Sequence, residues 1–222
     1  MPMGAEVFVV DDDPDVRSAL GRLIAAAGHE VRTFGSAREF LDSDCHRLPG
    51  CLLLDVRLPD LDGIELHRRL QETGTGLPVI FMTGFGDIPT SVQAIKSGAF
   101  DFLPKPVPDA TLLEAIDAAL AVEAEHRAER LETEELARRF NSLTPREVDV
   151  LQLVLAGRLN KQIARQLGIS EKTVKVHRSR VMAKMGARRV AQLVQLAVKL
   201  GIKERPADDQ HTPAAVRPTP IL

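Results

Sequence analysis

Apolar residues follow two rhythms along the first part of the chain. Residues 6–10, 30–34, 51–55, 77–82 and 100–103 form short, mostly apolar runs that end at turn residues or carboxylates. Runs of that length and composition read as strands. Between them, apolar positions recur at spacings of three and four. Val16, Leu20, Leu23, Ile24 and Ala27 lead to Gly28, and Ile64, Leu66 and Leu70 follow Gly63. Ser36 stands three residues before Glu39, a capping-box pattern that opens a helix with Phe40 and Leu41 facing inward. Val92 and Ile95 mark a helix over 87–97, and Leu112, Leu113, Ile116, Ala119 and Leu120 mark the next. Strand and helix alternate five times, which predicts an α/β domain with a doubly wound, five-stranded parallel sheet. Right-handed crossovers bring the carboxyl ends of all the strands to one rim, where such sheets bind ligands.

The rhythm changes after residue 118. Residues 118–140 contain no Gly or Pro and place Glu123 before Arg127 and Glu134 before Arg138. These are helix-stabilising pairs, so 123–140 reads as a helical linker with a solvated face. Leu120, Ala124, Ala128 and Leu131 are too sparse for a coiled coil. Beyond it, four helical stripes fill a second, all-α domain over 141–204. Thr144 or Ser142 caps the first, with Pro145 in its first turn and Glu147 at capping-box distance from Thr144. Ile163, Ala164 and Leu167 mark the second; Gly168-Ile169-Ser170 is a turn; Val174, Val181 and Met185 mark the third. A short helix, a tight turn and a second helix predict helix–turn–helix geometry. Residues 205–222 are proline-rich with little apolar content, which predicts a disordered tail.

Charge separates the two halves. Residues 1–124 carry 20 acidic and 10 basic side chains, whereas residues 141–205 carry 4 acidic and 14 basic ones. A basic second half points to nucleic acid as its partner. No apolar run is long enough to span a bilayer and no secretory signal opens the chain, so a cytoplasmic protein is expected. Cys45 and Cys51 lack metal-ligand spacing, and the six histidines share no motif.

The rim of the sheet collects Asp11, Asp12, Asp55, Thr83 and Lys105, all at or just past strand ends. Crowded carboxylates repel one another and call for a hard cation, so Mg²⁺ is the expected ion, with Mn²⁺ able to substitute. A carboxylate is itself a competent nucleophile for an aspartyl phosphate, and Lys105 and Thr83 suit phosphoryl oxygens. Plain solvated acids at strand ends remain the alternative reading of these residues.

These motifs resemble the receiver domain of two-component response regulators. The resemblance rests on Val9-Val10-Asp11-Asp12-Asp13-Pro14, Leu54-Asp55 through Gly63, Thr83-Gly84 and Asp101-Phe102-Leu103-Pro104-Lys105-Pro106. It implies a flavodoxin-like receiver over 1–122 with Asp55 as phosphoacceptor. It also implies a metal site of Asp11, Asp12, Asp55 and the backbone carbonyl of Arg57. Thr83 and Lys105 become the switch and phosphate-contacting residues. Phe102 takes the place of a switch aromatic that is often Tyr, and Phe85 stands where relatives often carry His. The second half is similar to the LuxR-type DNA-binding domain of the NarL/FixJ class. That similarity rests on Leu143 to Glu147, Asn160 to Ala164, and Ile169-Ser170 with Thr173 to His177. It makes Lys175, Val176 and Ser179 candidates for reading bases. Lys161, Thr173 and His177 match residues that touch the DNA backbone or support the fold, and Arg178 and Arg180 add charge. The implied protein is a transcription regulator phosphorylated by a sensor histidine kinase. It dimerises through 87–110, binds double-stranded promoter DNA and works with RNA polymerase. Two other readings stay open, a phosphorylation-independent DNA-binding protein and a phosphohydrolase that uses Asp55.

Overall fold

The computed structural model describes residues 4–84 and 98–202, which fall into two compact units, 1–128 and 129–222. The predicted helix over 87–97, with that part of the expected dimer face, Phe85 and the predicted tail lie outside the described residues.

The first unit is built from β1 (Glu6–Val10), α1 (Pro14–Ala26), β2 (Glu30–Phe34), α2 (Ala37–Asp42), β3 (Gly50–Asp55), α3 (Gly63–Glu72), β4 (Val79–Thr83) and β5 (Asp101–Pro104). A fourth helix, α4 (Asp109–Asn141), follows. The five strands are all parallel, in the order β2-β1-β3-β4-β5. Successive side chains of a strand point to opposite faces. Phe8, Val10, Leu52, Leu54, Val79 and Phe81 accordingly pack toward α2 and α3 with Phe40, Leu66 and Leu70. Val7, Val9, Cys51, Leu53, Ile80 and Met82 pack on the other face, with Ile24 of α1 and Leu112 and Ile116 of α4. A sheet buried on both faces has continuous apolar strands, which is why residues 51–54 show no polar alternation. Cys45 and Cys51 belong to the cores on opposite faces, and both are free thiols.

Helix starts follow local chemistry. Asp13 caps α1, accepting from the N–H groups of Asp15 and Val16, with Pro14 at the first helical position. Ser36 caps α2 through the Glu39 N–H, but the Glu39 carboxylate accepts from the Gly35 N–H at 2.6 Å. The reciprocal half of the predicted box has therefore moved one residue upstream.

The second unit contains the end of α4 with α5 (Pro145–Leu155), α6 (Asn160–Leu167), α7 (Glu171–Met185) and α8 (Val190–Lys199). Gly168 ends α6 with φ of 64°, a left-handed conformation that favours glycine, and Ser170 caps α7 through the Thr173 N–H. The full capping box between Thr144 and Glu147 is present at α5. Part of the stretch read as a linker is core. Leu136 and Phe140 are each 4% exposed and join Leu143, Leu151, Val174 and Leu193 in one cluster, and Glu132 pairs with Lys199 at 2.5 Å. Polar spacing along 123–140 conceals these two positions because they recur once per turn on an otherwise charged helix.

Glu147 is buried and accepts from Lys184 Nζ at 2.6 Å, and Lys184 also donates to the Ser142 carbonyl. Lys184 and the Thr144 N–H hold the Glu147 carboxyl below its ordinary value of 4.5. A lowered folded-state value stabilises the fold at pH above the unfolded value, and this contribution is lost as pH falls through the folded one. Glu147→Gln keeps an amide oxygen for the Thr144 N–H but loses the charge paired with Lys184, and should cost the second unit about 1–3 kcal/mol at neutral pH, the usual scale for a hydrogen bond to a charged group. It should also flatten the decline in stability below about pH 5. Urea titrations followed by amide exchange in α5 measure both, and a variant as acid-sensitive as the parent would contradict the assignment. Phe140→Ala should destabilise the same unit by about 3–5 kcal/mol, read from exchange in α5 and α7; a loss under about 1 kcal/mol would remove Phe140 from the core.

Candidate functional site

The acidic pocket follows from strand order. β1 and β3 are neighbours with Val10 opposite Leu54, so the next residue on β1 and the last on β3 emerge side by side. Adjacent strands lie about 4.8 Å apart. One carboxylate oxygen from each of Asp11, Asp12 and Asp55 accordingly lies within 4.8 Å of the others. Asp11 is fully buried, Asp55 is half-buried and Asp12 is exposed.

Lys105 reaches in from the far side of β4. Its backbone N–H donates to the Thr83 carbonyl at 2.6 Å, extending the β4–β5 ladder by one rung. Its ammonium then spans the end of β4, donating to Asp11 Oδ2 at 2.6 Å and to Asp55 Oδ2. Burial works to lower the Lys105 ammonium, but the two carboxylates outweigh it and hold it above its ordinary value. Burial pushes the Asp11 carboxyl up, and Lys105 and the Asp13 N–H offset part of that.

The supporting contacts fix backbone more than side chains. Arg17 donates to the Asp11 carbonyl at 2.6 Å, and the Asp13 N–H donates to Asp11 Oδ1 at 3.0 Å. The Arg57 N–H donates to Asp55 Oδ1 at 2.9 Å, orienting the carboxylate from its own loop. Gly63 packs beneath that loop; a Cβ there would sit 2.4 Å from the Asp55 carbonyl oxygen, so only glycine fits. Thr83 is buried, with Oγ1 3.4 Å from the Gly84 carbonyl. Phe102 is half-buried on the α2/α3 face, its ring centroid 6.4 Å from that of Phe81. Sequence reasoning missed Arg17. Its one local signal is a basic residue one turn into α1, a feature shared with many surface helices.

Chemically the pocket is an oxygen-only donor set. Three carboxylates against one ammonium leave two negative charges in excess, which suits a hard divalent metal ion.

In the second unit the basic helix α7 sorts into two groups. Lys172, Lys175, Val176, Ser179 and Arg180 are exposed, and Val176 is 45% exposed despite being apolar. The others face inward. Arg178 donates to Asn160 Oδ1 at 2.9 Å, tying α7 to the start of α6. The Thr173 hydroxyl lies 2.8 Å from that of Ser170 in the α7 cap, and His177 is half-buried with its Nδ1 enclosed. Lys161 is exposed in the first turn of α6. Leu159 caps α6 with no side-chain acceptor, and Gln162 Oε1 instead accepts from the Leu159 N–H at 2.8 Å.

Known families match both units. The response regulator receiver domain matches residues 7–117, and the bacterial regulatory protein luxR family matches residues 141–197. Nodulation protein W of Bradyrhizobium diazoefficiens is 46% identical over 198 residues, covering 89% of this chain and 87% of that protein. The transcriptional regulatory protein FixJ of Azorhizobium caulinodans is 42% identical over 209 residues, covering 94% and 98%. Among solved structures, the response regulator StyR superposes with a TM-score of 0.82 at 48% identity, covering 89% of this chain and all of that one. Receiver domains take a phosphoryl group from a kinase and luxR-family domains bind DNA, so a kinase and DNA are the two partner classes. FixJ is by name a transcriptional regulatory protein, as is TdiR of Thauera aromatica, which sets the phosphohydrolase reading aside. The chain is a DNA-binding response regulator, belonging to the family that joins a receiver domain to a LuxR-type helix–turn–helix domain.

Proposed function

We propose that Asp55 is the phosphoacceptor of a switch whose output is occupancy of promoter DNA. The observation that carries this reading is the Asp11–Lys105–Asp55 contact, which gathers a nucleophilic carboxylate, a second carboxylate and an ammonium at one rim. A sensor histidine kinase presents its phosphohistidine to the pocket. Asp55 Oδ attacks phosphorus, the P–N bond breaks, and the histidine nitrogen leaves with the electron pair. Asp11, Asp12, Asp55 and the Arg57 carbonyl would hold Mg²⁺, or Mn²⁺ in its place; the ion neutralises charge on the transferring group. Lys105 exchanges its carboxylate partners for a phosphoryl oxygen, and Thr83 donates its hydroxyl to another. Movement of Thr83 toward the phosphoryl group frees space at β4–β5, and Phe102 responds by shifting against Phe81.

The output follows by population shift. The phosphorylated receiver, residues 1–122, pairs with a second copy. The DNA-binding domains, residues 141–204, then engage two half-sites in the cytoplasm and act on RNA polymerase. Residues 123–140 connect the two domains. Within the DNA-binding domain, α7 enters the major groove. Lys175 and Arg180 meet phosphates or bases, while exposed Val176 suits a thymine methyl group.

Incubation with Mg²⁺ and a small-molecule phosphodonor should phosphorylate the chain once, and Asp55→Asn should abolish uptake. Lys105→Met should retain the acceptor but lose most of the phosphorylation-dependent gain in DNA affinity. Uptake that survives Asp55→Asn would refute the acceptor assignment. On DNA, Lys175→Ala should weaken binding and lower the salt dependence by about one counterion. Val176→Ala should instead relax the preference at one base position by about 1 kcal/mol. Salt titrations of Lys175→Ala and selection from random sequence with Val176→Ala measure these, and unchanged affinity in the first together with unchanged preference in the second would exclude α7 as the reading helix.

A further inference from the structure

Both loops that carry the acidic pocket lean on the same five residues, Gly35 to Glu39, at the start of α2. Asp60 lies midway along the loop from β3 to α3, between Arg57 and the α3 cap at Asp62. Its two carboxylate oxygens accept from consecutive backbone N–H groups, Arg38 at 2.9 Å and Ala37 at 3.3 Å. With Ser36 taking the Glu39 N–H, the first three N–H groups of α2 are all satisfied, two of them by a residue more than twenty positions away in sequence. Burial works to raise the Asp60 carboxyl, but four backbone N–H groups, those of Arg38 and Ala37 foremost, hold it below its ordinary value, so it is charged against the start of α2. On the other side, Arg17 holds the Asp11 carbonyl, and its guanidinium lies over Gly35, 3.5 Å from where a Cβ would stand.

The β3–α3 loop is also tied at its two ends, and the Arg57 N–H donates to Asp55 Oδ1. Val56 N–H donates to Met82, Gly63 N–H donates to Val56, and Asp62 caps α3. Asp60 anchors the middle, where Arg57 is exposed. We infer that Asp60 is a positioning residue for the metal site: by clamping the β3–α3 loop to the start of α2 it sets where the Arg57 carbonyl stands relative to Asp55 and Asp11. This rests on the proposed metal and acceptor roles of those residues. Outer-shell groups that orient ligands typically contribute about 10- to 100-fold to metal affinity.

The test uses the full chain and Mn²⁺, whose binding is read directly by electron paramagnetic resonance. Asp60→Ala should weaken Mn²⁺ binding about 10-fold or more. It should raise the Mg²⁺ concentration needed for half-maximal phosphoryl uptake, while the uptake rate at saturating Mg²⁺ stays near that of the parent. Asp60→Asn, which keeps one acceptor, should fall between them and covers the case in which the alanine variant fails to fold. Ser36→Ala removes a cap from the same helix but leaves the clamp, so its Mn²⁺ affinity should match the parent. Unchanged Mn²⁺ affinity in the Asp60 variants, or an equal loss in Ser36→Ala, overturns the inference. Asp55→Asn is the separate control: phosphoryl uptake persisting there would refute the acceptor reading, whatever Asp60 does.

Discussion

Everything in the first unit depends on bringing two carboxylates together at the ends of adjacent strands. At a separation of about 4–5 Å and an effective dielectric of about 20, two like charges repel by about 3–4 kcal/mol. Asp11 also bears the cost of burial. A flexible surface would let the pair drift apart. Here each follows directly on a run of fully buried residues in a paired strand, so neither backbone can move without disturbing the core. Lys105 reduces the repulsion, and its stem crosses the end of β4 to do so. The pocket is thus held in a high-energy arrangement of charge that a cation relieves.

The second unit applies the same logic to a helix. For α7 to read DNA its exposed face must be presented at a constant angle. Three ties set that angle: Arg178 to Asn160 at the start of α6, Lys184 to the buried Glu147 of α5, and the Val174, Val181 and Met185 stripe in the core. The basic residues of α7 therefore divide their labour. Arg178 and Lys184 hold the helix, while Lys172, Lys175 and Arg180 face water. Net charge alone does not distinguish the two groups.

Much of this was legible from the chain alone. The strands, to within two residues, the cap at Thr144 and the turn at Gly168 are local features, and each appears where the pattern places it. The misses lie where the folded chain chooses the partner. The Glu39 carboxylate accepts from Gly35 instead of completing the box at Ser36. Leu136 and Phe140 look like the sparse apolar positions of a solvated helix until α5 and α8 pack on them. Arg17 and Asp60 look like ordinary surface charges: the Asp60 partners are more than twenty positions away, and Arg17 meets a backbone carbonyl, which carries no side-chain signal.

By itself the sequence determined what each segment becomes: the alternation of apolar runs and stripes, and the placement of Asp11, Asp55, Thr83 and Lys105 at strand ends. Periodicity and capping act over a few residues, so they survive reading in one dimension. The tertiary structure alone decided that β1 lies between β2 and β3, which joins Asp11 to Asp55 across 44 positions and Lys105 to Asp11 across 94. Strand order results from the competition of whole faces for burial, a property of no single segment. The same competition decided which charged side chains hold the fold and which meet the solvent.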